Sequence, residues 1–145
     1  MACSKWFLKD RPEKSRECTE VEPPSSDKCV KSKQVFGLDE QNFKPFLCSK
    51  SIALVMFYEP DNPGFEFSRM HFKKAAETTT RNNHAYAAVN CHTAPEVCCS
   101  EDVKRVPHFK LYARGRLVGF NDNARLFTSK DMKNWVELGV KGKRL

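Results

Sequence analysis

The 145-residue chain has no apolar run long enough to span a membrane. Its start, MACSKWFLKD, lacks the continuous apolar stretch of about 7–15 residues that a secretory signal carries. There is no N-x-S/T sequon, since Asn62 is followed by Pro63 and Gly64, so glycosylation gives no guide to compartment. Nor is there a basic core. The net charge of +7 divides into +2 over residues 1–33 (eight Lys/Arg against six Asp/Glu), +2 over 34–139 (fourteen against twelve), and +3 over the last six residues, VKGKRL. A nucleic-acid surface needs a basic face with stacking aromatics, and this distribution argues against one. Terminal charge of this kind serves solubility or a weak contact with anions. What the chain does have is cysteine. Seven in 145 residues point to an oxidising compartment, and with no leader at the start the expectation is a mature or excised piece.

Residues 1–33 read as an irregular extension. They alternate charges, contain the Pro-Pro of VEPPSSDK, and offer few apolar side chains apart from Trp6, Phe7 and Leu8, which could anchor it. From residue 34 the texture changes to that of a domain running to 139, followed by a basic tail, 140–145. QVFGL is a short strand candidate, and DEQNFKPFLC reads as a helix capped by Asp39, with Phe43, Phe46 and Leu47 on one side. SIALVMFY, residues 51–58, is an almost unbroken apolar run, the pattern of a strand covered on both faces. GFEFSRMHFKKAAETTT repeats Phe65, Met70 or Phe72, and Ala76 at helical spacing. AYAAVNC, 85–91, is a second buried strand, and APEVCCSEDV a short helix. PHFKLYA, 107–113, alternates as a half-exposed strand does and turns at Ala113-Arg114-Gly115 into RLVGF. SKDMKNWVEL closes as an amphipathic helix capped by Ser129, with Met132, Trp135, Val136 and Leu138 apolar. The order β-α-β-α-β-α-β-β-α predicts an α/β fold: a mixed central sheet, two parallel crossovers and then an antiparallel hairpin, with helices on both sides.

These residues resemble a thioredoxin-fold domain of the protein disulfide isomerase family, over about residues 34 to 139. Ala53-Leu54-Val55-Met56-Phe57-Tyr58 and then Pro60 look like the family strand that enters its A-P-W-C-G-H-C site. Phe72-Lys73-Lys74-Ala75-Ala76 resembles the helix beyond that site, and Ala87-Ala88-Val89-Asn90-Cys91 the third strand. Val103 to Pro107, Phe109-Lys110-Leu111-Tyr112 and Gly115 resemble V-x-x-x-P-T-x-x-x-Y-x-x-G.

The departures carry the functional expectation. Laid on the pattern, the tryptophan falls at Asp61, the first cysteine at Asn62 and the second at Phe65, with Pro63 and Gly64 between. Dithiol exchange needs a low-pKa thiolate at a helix start and a second thiol to resolve the mixed disulfide, and neither Asn nor Phe supplies one. The family's buried glutamate stands as Met56 here and its helix proline as Met70. Val106-Pro107 matches the family's cis-proline, which exposes backbone beside the site for an extended polypeptide. His108 replaces the following threonine and, with an ordinary pKa, would titrate near neutrality there. Lys104 and Arg105, with Arg114 and Arg116, read as a basic rim: a solvated face, or a contact for an acidic peptide.

Resemblance also bears on the cysteines, because several disulfide isomerase domains carry one after the third strand and another about seven residues on. It implies a bridge from Cys91 to Cys98 or Cys99. Cys48 with Cys3, Cys18 and Cys29 allows two more, in three pairings, and one of the seven stays unpaired. His92 beside the cysteines lacks the separated pairs of a zinc site, so no metal and no cofactor are expected. The leading reading is a redox-inactive module, in the endoplasmic reticulum lumen or secreted, that binds polypeptide or a partner protein. Tyr58, Asn62, Phe65, Val106, Pro107 and His108 would line the contact, with Phe65 and Phe67 adding apolar surface. The alternatives are a thiol oxidoreductase using Cys98 or Cys99, and a secreted basic protein contacting anionic matrix.

Overall fold

In a computed structural model, residues 23–79 and 83–140 are described. Five strands, β1 (Val35–Leu38), β2 (Ile52–Tyr58), β3 (His84–Asn90), β4 (His108–Ala113) and β5 (Arg116–Asn121), alternate with helices α1 (Phe43–Cys48), α2 (Phe65–Glu77), α3 (Pro95–Ser100) and α4 (Ser129–Val140). The sheet order is β1-β3-β2-β4-β5. The first three strands are parallel, while β4 runs antiparallel to β2 and β5 to β4.

β2 sits at the centre, and all seven of its residues are buried. Its period of two divides the core. Ile52, Leu54, Met56 and Tyr58 join Phe65, Phe72, Ala75 and Ala76 of α2 and Met132, Trp135 and Val136 of α4. Ala53, Val55 and Phe57 join Phe43, Phe46 and Leu47 of α1 and Val97 and Cys98 of α3. An apolar run without alternation is thus what a strand between two helical layers requires.

Three local expectations are corrected, and one alternative is decided. β4 is buried from His108 to Tyr112, because β2 and β5 pair with both its edges while Phe109 and Leu111 pack in the α2–α4 layer and Tyr112 in the α1–α3 layer. Lys110 tolerates this by donating from Nζ to the Glu101 backbone oxygen, and Tyr112 donates its hydroxyl to Glu101 Oε1 at 2.5 Å. α1 begins only at Phe43; Asp39 instead closes the preceding turn, accepting from Gln41 N and Asn42 N. Ser129 is the first residue of α4, and the cap belongs to Thr128. Its hydroxyl oxygen accepts from Asp131 N at 3.3 Å while Asp131 Oδ2 accepts from Thr128 N, a reciprocal capping box. Met70 is 55% exposed, so the buried member of the α2 stripe is Phe72.

Residues 25–30 pack onto this unit. Ser26 bridges Phe36, Asp27 N donates to Val35 O, and Gly37 N donates to Ser25 O. A Cβ on Gly37 would meet Asp27 Cα at 3.3 Å, so the glycine allows the two segments to pass closely. Val30 is fully buried in the core under α2 and α4. Trp6, Phe7, Leu8, Cys3, Cys18 and the tail residues 141–145 lie outside the described residues.

Candidate functional site

The C-terminal ends of β2 and β3, the start of α2 and the Val106-Pro107 bond before β4 meet at one end of the sheet. Parallel register sets Tyr58 beside Asn90, and antiparallel register sets Phe57 beside His108. The Val106-Pro107 bond is cis. Between β2 and α2 the chain turns at Glu59–Asn62, with Asn62 N donating to Glu59 O. Asn62 Oδ1 accepts from Gly64 N at 2.9 Å, so the residue in the place of a first thiol is occupied in shaping the helix entrance. Gly64 lies against Pro107, where an added Cβ would stand 3.5 Å from Pro107 Cδ.

Tyr58 and Phe65 form a floor. Their rings stack at 4.7 Å with an interplanar angle of 20°, and they are only 1% and 7% exposed. Phe65 therefore turns inward, and of the two phenylalanines expected to add surface only Phe67 does so. The Tyr58 hydroxyl donates to Asp27, whose Oδ1 also accepts from Cys29 N and Val30 N. Burial first, and then the Asp27 carboxyl, push the Tyr58 hydroxyl well above its ordinary pKa.

His108 stands on the other face of the sheet. Its ring packs edge-on to Phe57 and is stacked on Phe120 at 5.7 Å, and neither ring nitrogen has a hydrogen-bond partner among the described residues. Burial lowers its pKa, reinforced by Lys110 and Arg105 and opposed by Asp122 and Asp102. The ordinary titration expected of it is thus corrected: a buried imidazole is held neutral. The six expected residues gather at one end of the sheet but do not line a single groove. Tyr58 and Phe65 belong to the α2–α4 side and His108 to the α1–α3 side, because neighbouring strand residues point to opposite faces. Asn62 and Val106 are half-buried and Pro107 is buried. Arg114 and Arg116 do not join Lys104 and Arg105, because β4 carries them to the opposite end of the sheet, where Arg114 N donates to Lys50 O.

Around this end Phe67, Met70, Phe120 and Leu126 are exposed by 42%, 55%, 60% and 70%. Phe67 and Met70 project from the first turns of α2, and Leu126 from a 3-10 turn, Ala124–Leu126, after β5. Spacing within α2 did not separate these from buried positions, since Phe65, Phe67, Met70 and Phe72 are all apolar and only the packing against α4 and the sheet selects among them.

Cys91 and Cys98 form a disulfide with Cα atoms 5.8 Å apart, and both are buried. Cys48 and Cys99 are also disulfide-bonded, and Cys29 is the free cysteine among the described residues. Cys91 N donates to Tyr58 O at 2.8 Å, so the bridge fixes the segment beside the end of β2. This places His92 against Glu59 and Asp61 rather than as a ligand beside the cysteines: His92 Nε2 lies 4.0 Å from Glu59 Oε1 and 3.7 Å from Asp61 Oδ1. That trio and Asp27 were missed. The available signal was that β2 and β3 are neighbouring parallel strands, so the residues just past each end emerge side by side. A cleft of about 360 Å³ between α2 and α4, lined by residues including Lys74, Thr78 and Lys133, shares no residue with this end.

No protein-family model matches the chain. It is 35% identical over 101 residues to protein disulfide-isomerase A5 of Bos taurus, covering 66% of this chain and 19% of that protein. It is 25% identical over 93 residues to protein disulfide-isomerase EUG1 of Saccharomyces cerevisiae, covering 64% and 18%. The chain thus spans about a fifth of the length of these relatives. Among solved structures, the first thioredoxin domain of mouse protein disulfide-isomerase A4 superposes with a TM-score of 0.66 at 20% identity, covering 88% of this chain and 86% of that one. Human ERp44 gives 0.65 at 19%, covering 72% and 32%. The fold is thioredoxin-like, and the sequence relatives of the chain are protein disulfide isomerases.

Proposed function

We propose that this thioredoxin-like domain is a redox-inactive binding module that holds an extended polypeptide or a partner protein, in the oxidising lumen of the endoplasmic reticulum. The observation that carries the reading is the chemistry of the helix entrance. Asn62 is engaged in a turn and Phe65 is stacked on Tyr58 where a dithiol enzyme needs an attacking and a resolving thiol. The scaffold around that point persists, with a cis Val106-Pro107 bond packed on Gly64. Apolar surface persists as well, from Phe67 as first expected but not from Phe65. Phe67 and Met70 offer it on the solvent side of α2, and Leu126 on the 3-10 turn after β5. Exposed apolar side chains of this kind suit an unfolded or partner segment. The disulfides and the disulfide-isomerase relatives support that compartment. The oxidoreductase alternative through Cys98 or Cys99 draws on the Cys91–Cys98 disulfide, the oxidised state such an enzyme would cycle through, although both of those residues are buried.

The test is direct binding of a reduced, alkylated model polypeptide, followed by fluorescence anisotropy, together with an insulin-reduction assay. The reading expects saturable binding by the native chain, weakened about tenfold in the Phe67→Asp/Met70→Asp variant (about 1.4 kcal/mol), and no insulin reduction above background. Equal binding by the variant would remove the proposed surface. Turnover with insulin would return the chain to the enzymes.

A further inference from the structure

The geometry points to a divalent transition-metal site, zinc being the best match, formed by Glu59, Asp61 and His92 at the mouth of the β2–α2 turn. One ligand atom from each residue lies within 4.8 Å of the others. Two carboxylates converge on the same imidazole nitrogen, yet at 3.7 and 4.0 Å neither is close enough to hydrogen-bond it. The gap has the size of an ion. A point equidistant from three atoms so spaced lies about 2.5 Å or less from each, a few tenths of an ångström beyond the roughly 2.0–2.2 Å at which zinc binds imidazole and carboxylate. Exposed side chains cover that difference by small rotations.

The donor set also selects. One imidazole and two carboxylates suit zinc, and borderline ions such as cobalt, better than calcium or magnesium, which prefer all-oxygen shells. The two carboxylates balance the ion's double charge, and three protein ligands leave a coordination position open to water or to an incoming group.

Backbone placement makes the trio reproducible. Glu59 and Asp61 flank Pro60 in a turn closed by Asn62 N donating to Glu59 O. His92 follows Cys91, which is fixed by its bridge to Cys98 and by Cys91 N donating to Tyr58 O. His92 N in turn donates to Asn90 Oδ1. A bound ion would therefore clamp the turn that leads into α2 to the end of β3. This inference is independent of the polypeptide-binding reading, since it needs only the three side chains.

The experiment is calorimetric titration of the untagged, disulfide-intact chain with Zn²⁺, and with Co²⁺ read by visible absorption. One equivalent should bind saturably, with Co²⁺ bands showing a low-coordinate site. Changes in residues around metal ligands cost about 10–100-fold in affinity, so His92→Ala and Asp61→Asn, which remove ligands, should each weaken binding by about tenfold or more. Cys29→Ser should bind as the native chain does, because its thiol is not a ligand. Far-UV circular dichroism should be unchanged in all three, since the altered side chains at 61 and 92 are exposed. Absence of saturable binding, native affinity in His92→Ala, or loss of binding in Cys29→Ser would each overturn the site.

Discussion

The hydroxyl of Tyr58 lies 2.9 Å from both carboxyl oxygens of Asp27, thirty-one residues earlier in the chain. This contact ties the segment before β1 to the floor beneath the start of α2. Asp27 is 8% exposed and Tyr58 1%, so water replaces neither partner.

Removing the hydroxyl alone, in Tyr58→Phe, leaves a buried carboxyl short of a donor. The expected cost is about 1–3 kcal/mol of unfolding free energy, measured by urea denaturation. Tyr86→Phe is the comparison, since its hydroxyl meets only the part-buried Thr79. An equal, small loss in both would show that the Asp27 contact contributes nothing of its own.

Acid should destabilise the fold partly through His108. Its folded pKa is lowered, chiefly by burial, from an unfolded value of about 6.5. Between the two values the unfolded chain holds the extra proton, so stability falls as pH drops from about 6.5 towards the folded value and levels off below it. The slope from this one group is at most about 1.4 kcal/mol per pH unit. Lys110 and Arg105 deepen the effect, and Asp102 and Asp122 oppose it. Urea midpoints at pH 7.5 and 5 should fall further apart in the native chain than in His108→Phe; identical spacing would place the titration elsewhere.

The Cys91–Cys98 bridge spans a sequence separation of seven. Loop-closure entropy assigns a ring of that size about 2–3 kcal/mol. The Cys91→Ser/Cys98→Ser variant should lose that much while keeping its far-UV spectrum, because the bridge closes a surface loop and leaves the sheet pairing in place. A loss of secondary structure would mean that the bridge holds β3 itself.

Helix α4 offers a test of where a cap sits. Thr128→Ala removes a reciprocal pair with Asp131 and should cost about 1 kcal/mol. Ser129→Ala should fall within about 0.5 kcal/mol of the native chain, since only its backbone N–H is used, donating to His71 Nδ1. The opposite ranking in thermal melts would restore Ser129 as the cap.

The layered architecture could be read in the sequence because β2 is apolar at every position from Ile52 to Tyr58. A strand of that kind needs helices on both faces, and the β-α order then leaves few topologies. The absence of a thiol pair at Asn62 and Phe65 was equally legible, being a matter of residue identity. Tertiary structure alone decided which way each side chain points. Phe65 and Phe67 are alike in the sequence, but one lies under Tyr58 and the other faces solvent, because α2 presents one side to the sheet. Lys110 looked like the exposed phase of β4, but its face of the sheet is covered, and its Nζ reaches the Glu101 backbone oxygen. His92 follows Glu59 and Asp61 by 33 and 31 residues and meets them only because β2 and β3 are parallel neighbours in register. Local composition fixes what an element is made of; which distant residues share a site depends on the pairing of strands, which no short stretch encodes.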